Sequence, residues 1–180
     1  PSLFRIGGWI AITNTVGPLM VNLDRFLIGA LLTLASVAYY STPFDLVSRI
    51  WLLSSPIVMV LFPAFAASYA ADRLRTARLF ALGFRYAFSV LFPAALLIAT
   101  LAPQGLELWL GVEFAAQSTR VLQILCVGAF INGLAHIALA VVQGGGNPSW
   151  AARLHMVELP VYLALAWWLI RAHGIEGAAI

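Results

Sequence analysis

Residues 21–32 read VNLDRFLIGALL, an apolar run that carries an acid and a base side by side, Asp24 and Arg25. Adjacent residues of an α-helix project about 100° apart, so the two charges do not simply neutralise each other. A charge at the centre of a bilayer costs about 2.5–3.5 kcal/mol on insertion scales. If this run lies in a membrane, both side chains must face protein or water rather than lipid.

Composition places the run in a membrane. Of the 180 residues, 62% are hydrophobic and 9% are charged, and the mean hydropathy is +0.95. Soluble domains average about 25% charged residues. Five stretches are long and apolar enough for a spanning helix, which needs about 20 residues, and a sixth helix is expected to start at residue 175. The five stretches are residues 4–34, 44–71, 79–102, 121–143 and 150–170. The sequence therefore predicts an all-α polytopic membrane protein.

Helix ends and kinks are indicated by prolines and caps. Thr42-Pro43-Phe44-Asp45 predicts a helix start, with a capping threonine, a proline at the first helical position and an acid at the third. Residues 106–114 are too short to span and are interpreted as an interfacial piece.

Prolines are also predicted inside four of the five helices. Each removes a backbone hydrogen bond and frees the carbonyl four residues earlier. These positions are either tolerated kinks or bending points of a protein that alternates between states, and both interpretations stay open. The residues are Pro18, Pro56, Pro63, Pro93 and Pro160.

Arginine asymmetry predicts the orientation, because cytoplasmic loops carry the excess of basic residues. Consecutive connections alternate sides of the membrane. The side predicted to be cytoplasmic carries Arg5, Arg73, Arg75, Arg78 and Arg153, and the other side carries Arg120 and Arg171.

Arg25 and Arg49 are predicted to lie at similar depth in neighbouring antiparallel helices. At 1.5 Å per residue, Arg25 is about 14 Å from a helix end at Leu34, and Arg49 is about 10 Å from one at Thr42. The guanidinium group binds phosphate in a bidentate manner, so one hypothesis is an anion-binding cavity that Asp24 also lines. The competing hypothesis is a structural network, in which Arg49 pairs with Asp45 one turn away or with Asp24 across the hairpin.

A second polar stripe runs along the fourth predicted helix, where Asn132, His136 and Gln143 share one face. The fifth helix adds His155 and Glu158, with Tyr162 one turn further on. These side chains either form hydrogen bonds between helices or line a water-filled lumen. In the lumen interpretation, Asn132 and His136 are cavity residues and Glu158 is the best candidate for a proton-coupling group.

Several functional classes find no support in the sequence. No spacing suggests a nucleophile with its base, and Cys126, His136 and His155 lack metal-ligand spacing. The segment GGGNPS lacks the Gly-Lys-Ser/Thr ending of a phosphate-binding P-loop. The net charge of +3 is too small and too scattered to indicate nucleic acid. We therefore predict no catalytic residue, metal, cofactor or nucleic-acid partner.

Five segments occur in an order that resembles the second half of bacterial polysaccharide (O-antigen type) flippases. They are GPLMVNLDRFLIGALL, VAYYSTPFDLVSRIW, VLFPAFAA, LWLGVEFAAQS and QGGGNPS. That family belongs to the superfamily of MATE drug exporters and the peptidoglycan lipid II flippase. The resemblance implies one lobe of a twelve-helix transporter, with helices seven to eleven and the start of the twelfth. The chain, which opens with Pro1 rather than Met, is interpreted as a C-terminal fragment.

The resemblance also implies a function and partners. Such proteins move an undecaprenyl-pyrophosphate-linked oligosaccharide from the cytoplasmic to the periplasmic leaflet of the bacterial inner membrane, through a cationic cavity. In such a cavity, Arg25 and Arg49 would bind the pyrophosphate or an acidic sugar of the substrate. The implied partners are the N-terminal lobe of the same protein, membrane lipids, a polysaccharide polymerase and glycosyltransferases.

Two other classes compete with the flippase. A MATE-like drug or cation antiporter would expose Asp24 to the lumen and bury Arg25 in a pair. A membrane-embedded enzyme acting on polyprenyl phosphates would need clustered acids to hold a metal at the membrane face, and the predicted loops offer none.

Overall fold

The computed structural model describes residues 22–145 and 148–180, and every regular element within them is an α-helix. The described part of α1 covers residues 22–31. The elements that follow are α2 (Leu34–Ser48), α3 (Trp51–Ser68), α4 (Arg73–Leu110), α5 (Val112–Gly144), α6 (Pro148–His173) and α7 (Ile175–Ala179). The helical stretches Leu34–Ser68, Arg73–Leu110 and Val112–Gly144 are long and apolar enough to cross a membrane. The protein is an all-α polytopic membrane protein, as the composition predicts.

Helix α5 joins two hydrophobic cores. One core lies between α3, α4 and α5 and includes Phe65, Leu91 and Ile137. The other connects α1, α2, α5 and α6 through Ile28, Tyr40, Val121 and Ile170. Because α5 contributes to both, it sets the positions of the helices on either side of it.

The junction between α4 and α5 replaces the predicted interfacial piece over residues 106–114. Helix α4 continues to Leu110, and α5 starts at Val112 after Gly111, whose φ of +90° is a backbone conformation that favours glycine. Leu106 is 2% exposed and belongs to the first core, and the Phe114 ring packs edge-on against Tyr39 at 5.0 Å. The predicted separate piece is therefore wrong, since residues 106–110 continue α4 and residues 112–114 begin α5, although residues 107–113 are exposed.

The predicted helix start at Thr42 is also wrong. Helix α2 begins at Leu34, where Thr33 is the N-cap and its Oγ1 accepts a hydrogen bond from the backbone N–H of Ser36 at 3.1 Å. Thr42 and Pro43 therefore lie inside α2. A competent cap at Thr33 sets the start, and the interior proline is tolerated for a tertiary reason.

That reason is a hydrogen bond from α5. Pro43 has no N–H to offer the carbonyl of Tyr39, four residues earlier. The Tyr39 carbonyl instead accepts a hydrogen bond from the Ser118 hydroxyl at 2.9 Å. A side chain far along the chain thus replaces the missing backbone donor, as a low-dielectric surrounding requires.

A side chain of α5 also replaces the backbone donor that a proline removes from α4. Pro103 leaves the carbonyl of Ala99 without its helical donor, and the Gln123 side-chain amide donates to that carbonyl at 3.1 Å. The predicted interior prolines Pro56, Pro63, Pro93 and Pro160 all lie within helices, while Pro18 is outside the described residues.

The two ends of the lobe differ in charge. Arg73, Arg75 and Arg78 lie in the first two turns of α4, and the C-terminus of α5 touches the preceding turn. A Cβ placed on Gly145 would lie 2.7 Å from the ring of Tyr69. Helix α6, with Arg153 near its start, leaves from the same end. The structure thus brings together four of the arginines that the sequence assigned to one side.

We expect Gln123→Leu to lower the free energy of unfolding by about 1 kcal/mol, because the Ala99 carbonyl is left without a donor. In a Pro103→Ala background the N–H restored at position 103 supplies that donor, and the cost of Gln123→Leu should vanish. Unfolding in mixed micelles measures both. Gln117→Leu, at an exposed position of the same helix, is the control. An equal cost in the two backgrounds would contradict the compensation.

Candidate functional site

Asp24 ties three helices together. Its side chain is buried, with 8% of the residue exposed, and both carboxylate oxygens are occupied. Oδ2 accepts a hydrogen bond from the Tyr40 hydroxyl of α2 at 2.8 Å, and Oδ1 accepts one from the Tyr162 hydroxyl of α6. Sequence reasoning did not connect either tyrosine to Asp24, because they lie 16 and 138 residues away.

Arg25 projects in a different direction, as the 100° step between helix neighbours requires. Its Nη2 lies 2.5 Å from Asp45 Oδ1 of α2. Its guanidinium carbon is 5.5 Å from the ring centroid of Phe44, a cation–π contact. The Phe44 ring in turn stacks on Tyr40 at 6.0 Å, so the two charged residues share one supporting aromatic pair.

Arg25 is only partly committed to these contacts. Its side chain is 33% exposed and that of Asp45 is 63% exposed, so the pair is open at the surface of the lobe. The Nε atom is buried and has no hydrogen-bond partner among the described residues. A guanidinium carries five N–H donors, and within the described residues only Nη2 has a polar partner, Asp45.

The structure forms neither of the pairs considered for Arg49. Arg49 is exposed at the C-cap of α2, and among the described residues it makes no ion pair with Asp24 or Asp45. The helix ends at Ser48, and Arg25 takes Asp45 instead. Arg49 nevertheless follows Asp45 by one turn, about 6 Å along the axis. Arg25 and Asp45 are thus in contact, and Arg49 lies one turn beyond Asp45 in the chain; we call these three residues the strip.

The polar stripe of α5 is separate from this strip. Asn132 is exposed and His136 is half-buried, and neither side chain forms a hydrogen bond within the described residues. Asn132 is also about 16 Å along α5 from Val121, which packs against Ile28 of α1. In the described part of α5, the bonds between helices come from Ser118 and Gln123 rather than from this stripe.

The remaining candidates lie on α6. Glu158 is exposed there, four residues before Tyr162, while the side chain of His155 is outside what the structure describes. Searched over its described residues, the chain holds no group of three or more His, Cys, Asp and Glu side chains that could bind a metal ion. Cys126 is a buried free thiol.

Comparison with known proteins gives two matches. A family model described as "Polysaccharide biosynthesis protein" matches residues 1–119. A protein of Shigella flexneri named "Putative O-antigen transporter" is 29% identical over 178 residues, which are 99% of this chain and 42% of that protein. The chain thus spans less than half the length of this curated relative. No solved structure matches the chain.

The buried carboxylate of Asp24 can be tested by removal. Asp24→Leu leaves two tyrosine hydroxyls without an acceptor, and we expect a loss of roughly 2 kcal/mol or more in unfolding free energy. Tyr162→Phe removes one donor only and should cost about 1 kcal/mol. Thermal unfolding in detergent measures both. The exposed acid Asp45 is the control, since Asp45→Asn should cost at most about 1 kcal/mol. Wild-type stability of Asp24→Leu would refute the anchoring role.

Proposed function

This chain belongs to the polysaccharide biosynthesis protein family, and we propose on that premise that it forms the C-terminal lobe of a flippase. The longer protein would move an undecaprenyl-pyrophosphate-linked oligosaccharide from the cytoplasmic to the periplasmic leaflet of the bacterial inner membrane. The family match, the similarity to the Shigella flexneri protein along nearly the whole chain and the polytopic helical fold all support this proposal.

The observation that carries the proposal is the difference in environment between Asp24, which is buried, and Arg25, which is partly exposed. Asp24 is sequestered by two tyrosines, while Arg25 keeps a partly exposed guanidinium with unused donors. We assign the anionic head of the substrate to Arg25, with Arg49 one turn beyond Asp45. In this assignment Asp24 is a positioning residue. It fixes α1 so that the planar guanidinium group of Arg25 faces the substrate.

Asp45 then acts as the counter-ion of Arg25 in the resting state. Its carboxylate neutralises Arg25 when no substrate is bound, at a position open enough for exchange. A pyrophosphate carries more negative charge than one carboxylate and offers several oxygens to the planar guanidinium. Substrate therefore competes well for Arg25, and release restores the resting pair.

The α5 stripe and Glu158 complete the proposed cavity. Asn132 and His136 lie further along the lobe than Arg25 and leave their side-chain polar groups unused within the described residues. Amide and imidazole groups suit sugar hydroxyls, so we place the oligosaccharide along this stripe. Glu158, exposed on α6, remains the proposed proton-coupling group.

The alternatives fit less well. A MATE-like antiporter would need Asp24 to face the lumen, but only 8% of this residue is exposed. An enzyme acting on polyprenyl phosphates would need an acid cluster for a metal, and none occurs among the residues the structure describes. The similar Shigella flexneri protein is also named as a transporter.

Export in a strain deleted for the longer protein tests the proposal. We expect surface polysaccharide to be lost while the lipid-linked precursor still forms. Complementation by Arg25→Ala should fall by about tenfold or more, because a charge-assisted contact to the substrate is lost, and Arg25→Lys should fall less. Arg49→Ala should also impair export.

The control for this assay is Arg120→Ala, which removes an exposed arginine that pairs with Glu176 at 3.6 Å and not with Asp24 or Asp45. Export is normalised to the amount of folded protein. Failure of the precursor to form would favour a biosynthetic enzyme. Full export by a stably folded Arg25→Ala protein would refute the binding role alone.

The orientation can be tested with an impermeant thiol reagent in intact cells. A cysteine placed by Arg75→Cys should be shielded, and one placed by Glu113→Cys should be labelled, since the arginine-rich end is proposed to be cytoplasmic. The native Cys126 is 1% exposed and should contribute little background. Labelling of Arg75→Cys in sealed cells would reverse the proposed orientation.

A further inference from the structure

A cleft of mixed polarity lies at the arginine-rich end of the lobe, between the end of α3, the start of α4 and the last turn of α5. Its volume is about 360 Å³, within the ~300–1,000 Å³ range of small-molecule sites. Its walls are formed by Tyr69, Arg73, Thr76, Ala77, Phe80 and Val141. None of these residues is acidic, so Arg73 gives the cleft a net positive charge.

The guanidinium group of Arg73 has no polar partner among the described residues. The side chain is exposed and forms no hydrogen bond or ion pair with the residues that the structure describes. The nearest acid in sequence, Asp72, is held at the helix end, where its Oδ1 accepts a hydrogen bond from the backbone N–H of Arg75 at 2.9 Å. The Thr76 hydroxyl is also used, because it donates to the Asp72 carbonyl and contacts the Ser68 hydroxyl at 2.8 Å.

The geometry of α4 singles out Arg73 among the neighbouring arginines. Residues three, four and seven positions after Arg73 lie on its face of the helix, and these are Thr76, Ala77 and Phe80 of the cleft. Arg75 and Arg78 are turned about 200° and 140° away from it. Of the three arginines in the first two turns of α4, only Arg73 lines the cleft.

We propose that this cleft binds the phosphate group of a membrane lipid, with the guanidinium of Arg73 as its ligand. The planar fork suits phosphate oxygens, and the half-exposed Tyr69 lies where amphipathic rings meet lipid headgroups. The apolar walls at Phe80 and Val141 accommodate the first carbons of the lipid chain. Basic pockets between membrane helices are a known way of holding anionic headgroups. The proposal does not require that the protein exports polysaccharide.

Two lipids share this chemistry, a bilayer phospholipid and a polyprenyl phosphate carrier. The test uses the purified longer protein in detergent and native mass spectrometry to measure apparent Kd values for dioctanoyl phosphatidic acid. Dioctanoylglycerol, which has the same tails and no phosphate, is the ligand control. We expect the phosphate to tighten binding, and Arg73→Gln to weaken it about fivefold or more. The Kd of Arg73→Lys should lie between those of the wild type and Arg73→Gln, because lysine keeps the charge but lacks the planar guanidinium group.

Arg78→Gln is the matched control, since it removes the same charge from the same end of the lobe and should change the Kd less than about twofold. Equal effects of Arg73→Gln and Arg78→Gln would overturn the site in favour of diffuse attraction, and so would no effect of either. Competition then identifies the source. Stronger displacement by farnesyl phosphate than by didecanoyl phosphatidic acid, which has the same phosphate monoester, supports a carrier-lipid site, and the reverse supports a bilayer-lipid site.

Discussion

The constraint that organises this lobe is that a backbone polar group away from water needs a partner within the protein. The helices satisfy it along most of their length, and prolines break it at defined points. At Pro43 and Pro103 the freed carbonyls receive donors from a single neighbouring helix, through Ser118 and Gln123. These two side chains lie five residues apart on α5, the helix that also belongs to both hydrophobic cores. Backbone satisfaction and core packing thus fix α2 and α4 against the same element.

The geometry of the helix separates the two neighbouring charges in VNLDRF, Asp24 and Arg25. The two side chains project about 100° apart, and here one charge is enclosed while the other remains partly open. Asp24 is enclosed, with two hydroxyl donors that compensate for burial of its carboxylate. Arg25 meets Asp45 near the surface of the lobe, where exchange with another anion costs little. A pairing that looks structural in sequence is therefore asymmetric, and this asymmetry supports a binding role for the base rather than for the acid.

The sequence predicts much of the fold but little of the site. Membrane insertion, the helical class and proline within helices follow from composition and spacing, which are local properties. The start of α2 does not, because Pro43 reads as a helix start until Ser118, 79 residues away from Tyr39, is known to replace the missing donor. The partners of Asp24 and Arg25 depend on which faces of α1, α2 and α6 meet. Sequence reasoning located both charges, but its similar depth for Arg25 and Arg49 assumed a helix start at Thr42, whereas α2 begins at Leu34. The tyrosines and Asp45 are tertiary neighbours that no spacing reveals.

The unbroken length of α4 has a consequence for the surrounding lipid. Its 38 residues extend about 57 Å, almost twice the ~30 Å hydrocarbon thickness of a bilayer. Even at a tilt of ~40°, the upper end of what membrane helices show, it still reaches about 44 Å across. Tilt alone therefore cannot absorb the mismatch. The excess therefore extends into the headgroup layers, which suit the arginines at the start of α4 and the ring of Trp109, 64% exposed, near its end. The lobe is therefore taller than the hydrocarbon layer, and the lipids around α4 must either thicken or meet the helix ends with their headgroups.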